Sequence, residues 1–170
     1  LVLVLFYSIL QLSLAVAYVK NKRKQKTNPD VKPVYDPATT PKVTVQLPIY
    51  NEFHVIERLL ECITALEYPH SLLQIQVLED STDECLGMSQ SLVIKYKKKG
   101  IPIELITRNK REGFKAGALK NGLIHATGEF IAIFDSDFLP KPDWLLKTIP
   151  HFIDSKIGLV QTRWGHLNRD

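Results

Sequence analysis

Beyond Lys42 the apolar residues switch repeatedly between a period of two and a period near 3.6, which restricts the chain to a parallel sheet layered with helices, an α/β fold. Val43, Val45 and Leu47 alternate with Thr44 and Gln46 as a strand does. Val55, Ile56, Leu59, Leu60 and Ile63 come next at helical spacing, on a helix expected to begin near Asn51. Ile75 to Leu78 predicts a second strand, followed by the turn or cap residues Ser81, Thr82 and Asp83 and a polar helix to about Lys99. Ile103 to Ile106 predicts a third strand. Phe114, Ala118, Leu119 and Leu123 mark a helix that stops at Gly128. Phe130 to Phe134 is an unbroken apolar run, the pattern of a central strand covered on both faces, and Leu159 to Thr162 is the last strand expected. In a sheet of this kind ligands gather at the carboxyl ends of the strands.

The segment before this domain has a different character. Residues 1–19 contain no charged side chain, and as a helix they would reach roughly 28 Å, close to the hydrocarbon thickness of a bilayer. A signal peptide carries its positive charge ahead of the apolar run; here Lys20, Lys22, Arg23, Lys24 and Lys26 come after it. The expectation is a transmembrane helix over 1–19 in a lipid bilayer, with the basic cluster holding the rest of the chain on the cytoplasmic side. Residues 20–41 join that cluster to a linker punctuated by Pro29, Pro33, Pro37 and Pro41, and the globular domain is expected over 42–170.

Composition matters mainly for what it excludes. The 170 residues carry 22 basic and 18 acidic side chains, and five of the basic ones lie in the 20–26 cluster, so the domain itself is near neutral. A nucleic-acid-binding domain would need a basic face, and no nucleic-acid partner is expected. Cys62 and Cys85 stand in no C-x-x-C and near no paired histidines, which is neither a disulfide framework nor a zinc site. G-x-G-x-x-G, the Walker loop, H-E-x-x-H and G-x-S-x-G are all absent.

The strand ends are informative. The first strand runs into Leu47-Pro-Ile-Tyr-Asn-Glu52, the second into Glu79-Asp-Ser-Thr-Asp83 and the fourth into Asp135-Ser-Asp137, so three sets of carboxylates are expected at one sheet edge. Like charges as close as Asp135 and Asp137 disfavour each other unless a cation lies nearby. Oxygen ligands without Cys or His suit Mg²⁺ or Mn²⁺, and such an ion usually brings substrate phosphates as further ligands. Lys110 to Lys120 (K-R-E-G-F-K-A-G-A-L-K) places Arg111 and Lys115 near a glycine-flanked helix start, where cations and free backbone N–H groups can meet a phosphate together. Each feature has a plainer reading, a solvated acidic turn or an exposed basic helix end. The five histidines are expected to be surface or satisfied residues, Trp144 and Phe152 to pack the segment after Asp137, and Lys97 to Lys99 to form a solvated helix end.

The succession P-I-Y-N-E, E-D-S-T-D, R-E-G-F-K-A-G-A-L and F-D-S-D-F resembles the family-2 glycosyltransferases, in particular their cellulose-synthase-like and mannan-synthase-like membrane branch, over about Lys42 to Asp170. The resemblance implies a GT-A fold, a nucleotide-sugar donor linked to UDP or GDP, a glycan acceptor, a divalent metal and inverting transfer of a hexose to a growing β-linked glycan. By position it implies that Pro48, Tyr50 and Glu52 line the nucleotide pocket, and that Asp80 meets the base, with Glu79 where an aspartate often stands. It places Lys115 near the nucleotide phosphates, and Asp135 and Asp137 at the metal, Asp137 as the more direct ligand. The T-E-D motif of the general base and the Q-x-x-R-W acceptor motif do not occur. Gln161, Arg163 and Trp164 form only Q-T-R-W and are expected to be a strand-end segment. Leu rather than Met at position 1 leads to the expectation that the true start is missing, and the absent motifs to the expectation that the domain is incomplete at Asp170: an N-terminal fragment that binds donor weakly and transfers no sugar alone. A non-catalytic nucleotide-sugar-binding module and a nucleotidyltransferase stay open as alternatives, although the latter would want a glycine-rich basic loop where P-I-Y-N-E stands.

Overall fold

Four parallel strands build one sheet in the computed structural model, which describes residues 2–24 and 39–162. The expectations for Pro29, Pro33, Pro37, Arg163 and Trp164 lie outside the described residues. The chain divides into two units, Leu1–Val34 and Tyr35–Asp170.

In the first unit, helix α1 covers Val2–Lys24. Its Val2–Lys20 portion is long and apolar enough to cross a membrane. The Ser8 and Ser13 hydroxyls donate back to the Val4 and Leu10 carbonyls at 2.9 and 2.7 Å, so these polar interruptions satisfy themselves within the helix. The helix continues past Val19 into the basic residues, because Lys and Arg are themselves good helix formers.

In the second unit the strands are β1 (Val43–Ile49), β2 (Leu73–Glu79), β3 (Ile103–Thr107) and β4 (Phe130–Ile133), in the order β3-β2-β1-β4. Val45 lies between Ile75 and Ala132, and Val77 pairs with Leu105. Helix α2 (Ile56–Thr64) packs on α3 (Cys85–Lys98), and α3 on β2 and β3. Ile56, Leu59, Leu60 and Ile63 form the apolar stripe of α2, fully buried in one cluster with Val45, Leu47, Ile75 and Val77. A Leu59→Ala truncation there should cost about 2–5 kcal/mol.

Helix α4 (Phe114–His125) packs on β1 and β2 from the other face, and that face is polar. Thr44 and Gln46, the polar residues of the alternation, are fully buried. Thr44 donates to Gln74 (2.7 Å), Gln46 donates to Gln76 (3.0 Å) and to the Leu119 carbonyl of α4 (3.4 Å), and Gln74 donates to Glu104 (2.6 Å). The period of two therefore marks two covered faces of different chemistry, which pattern alone cannot tell from one dry and one wet face.

Four expectations are corrected. Helix α2 begins at Ile56 rather than near Asn51, because Asn51 takes a left-handed conformation (φ 55°) and the Glu52 carbonyl accepts from Val55 and Ile56 to start the helix. Helix α4 ends at His125, and Gly128 instead lies against β1, donating to Thr44 Oγ1 at 2.9 Å. Strand β4 is not central: among the described residues it pairs with β1 alone, and Ile133 stays 49% exposed. Leu159–Thr162 is not a strand, since a strand needs a neighbouring edge and none among the described residues takes it up; Thr162 instead accepts a hydrogen bond from the Trp144 indole at 3.3 Å. Beyond β4, α5 (Trp144–Thr148) runs into a 3₁₀ turn (Ile149–Ile153). Trp144 packs edge-on against Phe134 and Phe152 against Phe130, as expected for that segment.

Candidate functional site

Because the strands are parallel, all four release their chain at the same edge, and the loops there enclose a cleft of about 520 Å³. The β1 end contributes Pro48, Tyr50 and Glu52; the β2 end contributes Asp80; the segment beyond β4 contributes Asp135 and Asp137. Arg111, just ahead of α4, and Lys115, its second residue, complete the polar wall. The eight residues expected at the nucleotide-sugar and metal sites thus line one cleft, whereas Glu79 and Asp83 do not. Ile49, Val55, Ala118 and Ser136 complete it and carried no signal of their own.

The loops that hold these side chains are braced against one another. Asp80 donates its N–H to the Ile49 carbonyl at 3.0 Å. Asn51 N–H donates to Ser81 Oγ at 2.8 Å, and Asn51 Oδ1 accepts from Thr82 N–H at 3.0 Å, so the ends of β1 and β2 are stitched together. Glu79, next to Asp80, turns inward and is buried, accepting from Ser81 N–H at 2.8 Å and from the Ser89 hydroxyl. It supports the loop and presents no carboxylate to the cleft. Asp83 likewise serves structure, accepting from Cys85 N–H at 3.0 Å.

The charges are paired across the cleft. Asp80, with 6% of its side chain exposed, is gripped by Arg108 through Nε to Oδ1 (2.7 Å) and Nη2 to Oδ2 (2.5 Å). These bonds raise the already high pKa of Arg108. Arg111 Nε lies 3.9 Å from Asp80 Oδ2, and its guanidinium stacks 3.3 Å over the Tyr50 ring and 5.0 Å from that of Phe114. Lys115 Nζ contacts Asp135 Oδ1, an exposed pair at the mouth. Asp137 is exposed beside it, in a turn where Phe138 N–H returns to the Asp135 carbonyl at 3.0 Å.

Arg108 is the polar residue that sequence reasoning missed. The signal was there in the strand register: Glu79 pairs with Thr107, so the next residues, Asp80 and Arg108, leave adjacent strands side by side. That pairing becomes visible only once β2 and β3 are known to be neighbours.

Among the described residues no group of three or more His, Cys, Asp or Glu is gathered to hold a metal ion. The chain offers instead two carboxylates with a serine between them, an all-oxygen set suited to Mg²⁺ or Mn²⁺, which fill their remaining positions with phosphate oxygens and water. The donor chemistry therefore fits a divalent cation that arrives with a diphosphate.

A parallel sheet with a mixed acid and cation cleft at its carboxyl edge is the arrangement of the GT-A fold. The model of the family described as Glycosyl transferase family 2 matches residues 44–168, and the chain belongs to that family, in its cellulose-synthase-like, mannan-synthase-like branch. It is 46% identical over 138 residues to "Probable glucomannan 4-beta-mannosyltransferase 4" of Oryza sativa subsp. japonica, a match covering 78% of this chain and 25% of that one. To "Glucomannan 4-beta-mannosyltransferase 7" of Arabidopsis thaliana it is 37% identical, covering 96% of this chain and 31% of the relative. The chain thus spans about a quarter of the length of the first of these relatives. Among solved structures it is similar to the mannosyltransferase PcManGT from Pyrobaculum calidifontis in complex with GDP-Man and Mn²⁺, with a TM-score of 0.69 and 34% identity over 85% of this chain and 41% of that one. It also resembles S. aureus TarS 1-349 in complex with UDP-GlcNAc, with a TM-score of 0.53 and 28% identity over 67% of this chain and 31% of that one.

Proposed function

We propose that the cleft is the nucleotide-sugar site of a metal-dependent, inverting hexosyltransferase that extends a β-linked glycan, with GDP-mannose the favoured donor. The observation that carries this reading is the convergence of Asp80, Asp135 and Asp137 with Arg111 and Lys115 in one cleft at the carboxyl edge of the sheet. The similar archaeal mannosyltransferase holds GDP-Man and Mn²⁺, and the plant relatives are named for 4-β-mannosyl transfer, which supports the same donor and metal here. In this reading Asp80 faces the base, and Pro48, Tyr50 and Glu52 shape the pocket around the nucleoside. Arg111 and Lys115 meet the diphosphate, and Asp135 and Asp137 hold the cation. A bound divalent ion would neutralise charge on the departing diphosphate. Helix α1 would anchor the domain in a bilayer, with the cleft on the cytoplasmic side.

Calorimetry on the full chain in detergent tests the assignment, with GDP and UDP titrated in the presence of Mn²⁺ or of chelator. Micromolar binding that chelator abolishes, and that Asp137→Ala removes while melting behaviour is unchanged, is the expected result. Binding indifferent to chelator and to that substitution would overturn the metal assignment.

A further inference from the structure

Arg108 does not line the cleft, yet it joins both of its walls. Besides its two bonds to Asp80, Nη1 donates to the Glu112 carbonyl at 2.6 Å and Nη2 to the Phe114 carbonyl at 2.8 Å. One planar guanidinium thus spans the end of β2 and the turn that delivers Arg111 and Lys115. That geometry uses the rigid fork of an arginine, and a lysine ammonium cannot reproduce it.

The turn needs this hold. Gly113 (φ 69°) and Phe114 (φ 48°) both lie in the left-handed region, which a phenylalanine avoids unless its surroundings impose it. Arg108 binds the carbonyls on either side of Gly113, those of Glu112 and Phe114. Gly117 leaves the room, for a Cβ there would fall on the Glu112 carbonyl oxygen and lie 2.5 Å from Arg108 Nη1. We propose that Arg108 is a positioning residue for the donor site, one that fixes the Asp80 carboxylate and the Glu112–Phe114 turn as a single rigid unit, so that the groups for the nucleoside and for the diphosphate stand in a set relation before binding. This rests on the donor reading of the cleft for its effect on binding, but not for the anchoring itself.

The test is a set of Arg108→Ala, Arg108→Lys, Asp80→Ala and Arg108→Ala/Asp80→Ala variants of the full chain in detergent, with two readouts. Hydrogen exchange of the 109–117 segment should rise roughly tenfold in both Arg108 variants, while β1 and β2 keep their protection. Affinity for GDP with Mn²⁺ should fall roughly 10- to 100-fold in Arg108→Ala, Lys should not restore it, and removing Arg108 from the Asp80→Ala protein should weaken binding by less than it does in the native sequence. Unchanged exchange in that segment, full rescue by lysine, or strictly additive losses would each overturn the proposal. If Arg108→Ala does not fold, the lysine variant carries the same comparison. A native chain that binds neither GDP nor UDP would sink the donor reading instead, and the exchange readout would then decide the anchoring role alone.

Discussion

Lys115 Nζ closes on Asp135 Oδ1, so the second residue of α4 and the first carboxylate beyond β4 neutralise each other across the mouth of the cleft. The ammonium there competes electrostatically with a divalent cation for the same carboxylate. Removing the lysine should therefore separate the two halves of donor binding. Lys115→Ala is expected to bind Mn²⁺ alone at least as tightly as the native chain, and GDP in the presence of Mn²⁺ about tenfold or more weakly. Because both partners are about half exposed, the melting temperature should scarcely move. Calorimetry with the metal alone and with metal plus GDP checks both signs.

Gly117 is expected to tolerate no side chain. The Cβ of Gly117→Ala would meet the carbonyl that Arg108 binds, so either the turn or the guanidinium must shift. A loss of about 1–3 kcal/mol in urea unfolding is expected, with weakened nucleotide binding beside it. An alanine variant as stable as the native chain would mean that the turn relaxes freely.

Cys62 should be a slow thiol. Burial raises its pKa, and its Sγ lies 2.9 Å from the Pro140 carbonyl, which suits a neutral S–H donor. In the folded chain its alkylation by iodoacetamide at pH 8 should be several-fold slower than in urea. The linkage has one sign: the neutral thiol is favoured in the fold, so its contribution is full below the unfolded pKa and is lost as pH rises through the folded one. Equal alkylation rates in the two states would contradict this environment.

Asp143 behaves the opposite way. Its hydrogen bond with Lys147, four residues on, lowers its pKa. The small stabilisation is present above the unfolded pKa and fades as pH falls through the folded value, the acidic end of the range. Asp143→Asn should remove that small increment at neutral pH and leave stability below the folded pKa unchanged, so that the acid limb flattens, as thermal melts across that range would show.

Orientation in the membrane should depend on the basic residues after the apolar helix. Replacing Lys20, Lys22, Arg23, Lys24 and Lys26 with neutral residues is expected to weaken or scramble the placement of a reporter fused after Asp170. A reporter that is extracytoplasmic in the native sequence would reverse the orientation and separate the cleft from a cytoplasmic donor.

The strands, their order along the chain and the acids at their ends were legible because each is a local property. The period of Val43-Val45-Leu47 and the apolar runs at Ile75 and Phe130 depend on neighbours a few residues away, and a carboxylate after a strand is visible wherever the strand ends. Since parallel strands all point one way, that sufficed to bring Pro48, Tyr50, Glu52, Asp80, Arg111, Lys115, Asp135 and Asp137 to one edge. Strand adjacency was not local. No pattern within Phe130–Phe134 says that, among the described residues, only β1 pairs with it, and Leu159–Thr162 has a strand's composition without a partner edge among them. The inward turn of Glu79, the buried polar face of Thr44 and Gln46, and the grip of Arg108 on Asp80 each join residues 10 to 73 positions apart, through contacts that exist only once the sheet has set its register. The sequence by itself determined which groups reach the carboxyl edge of the sheet, because direction along a strand is written in the chain. The tertiary structure decided which of them stand free and which are held, because that depends on who their neighbours are across it.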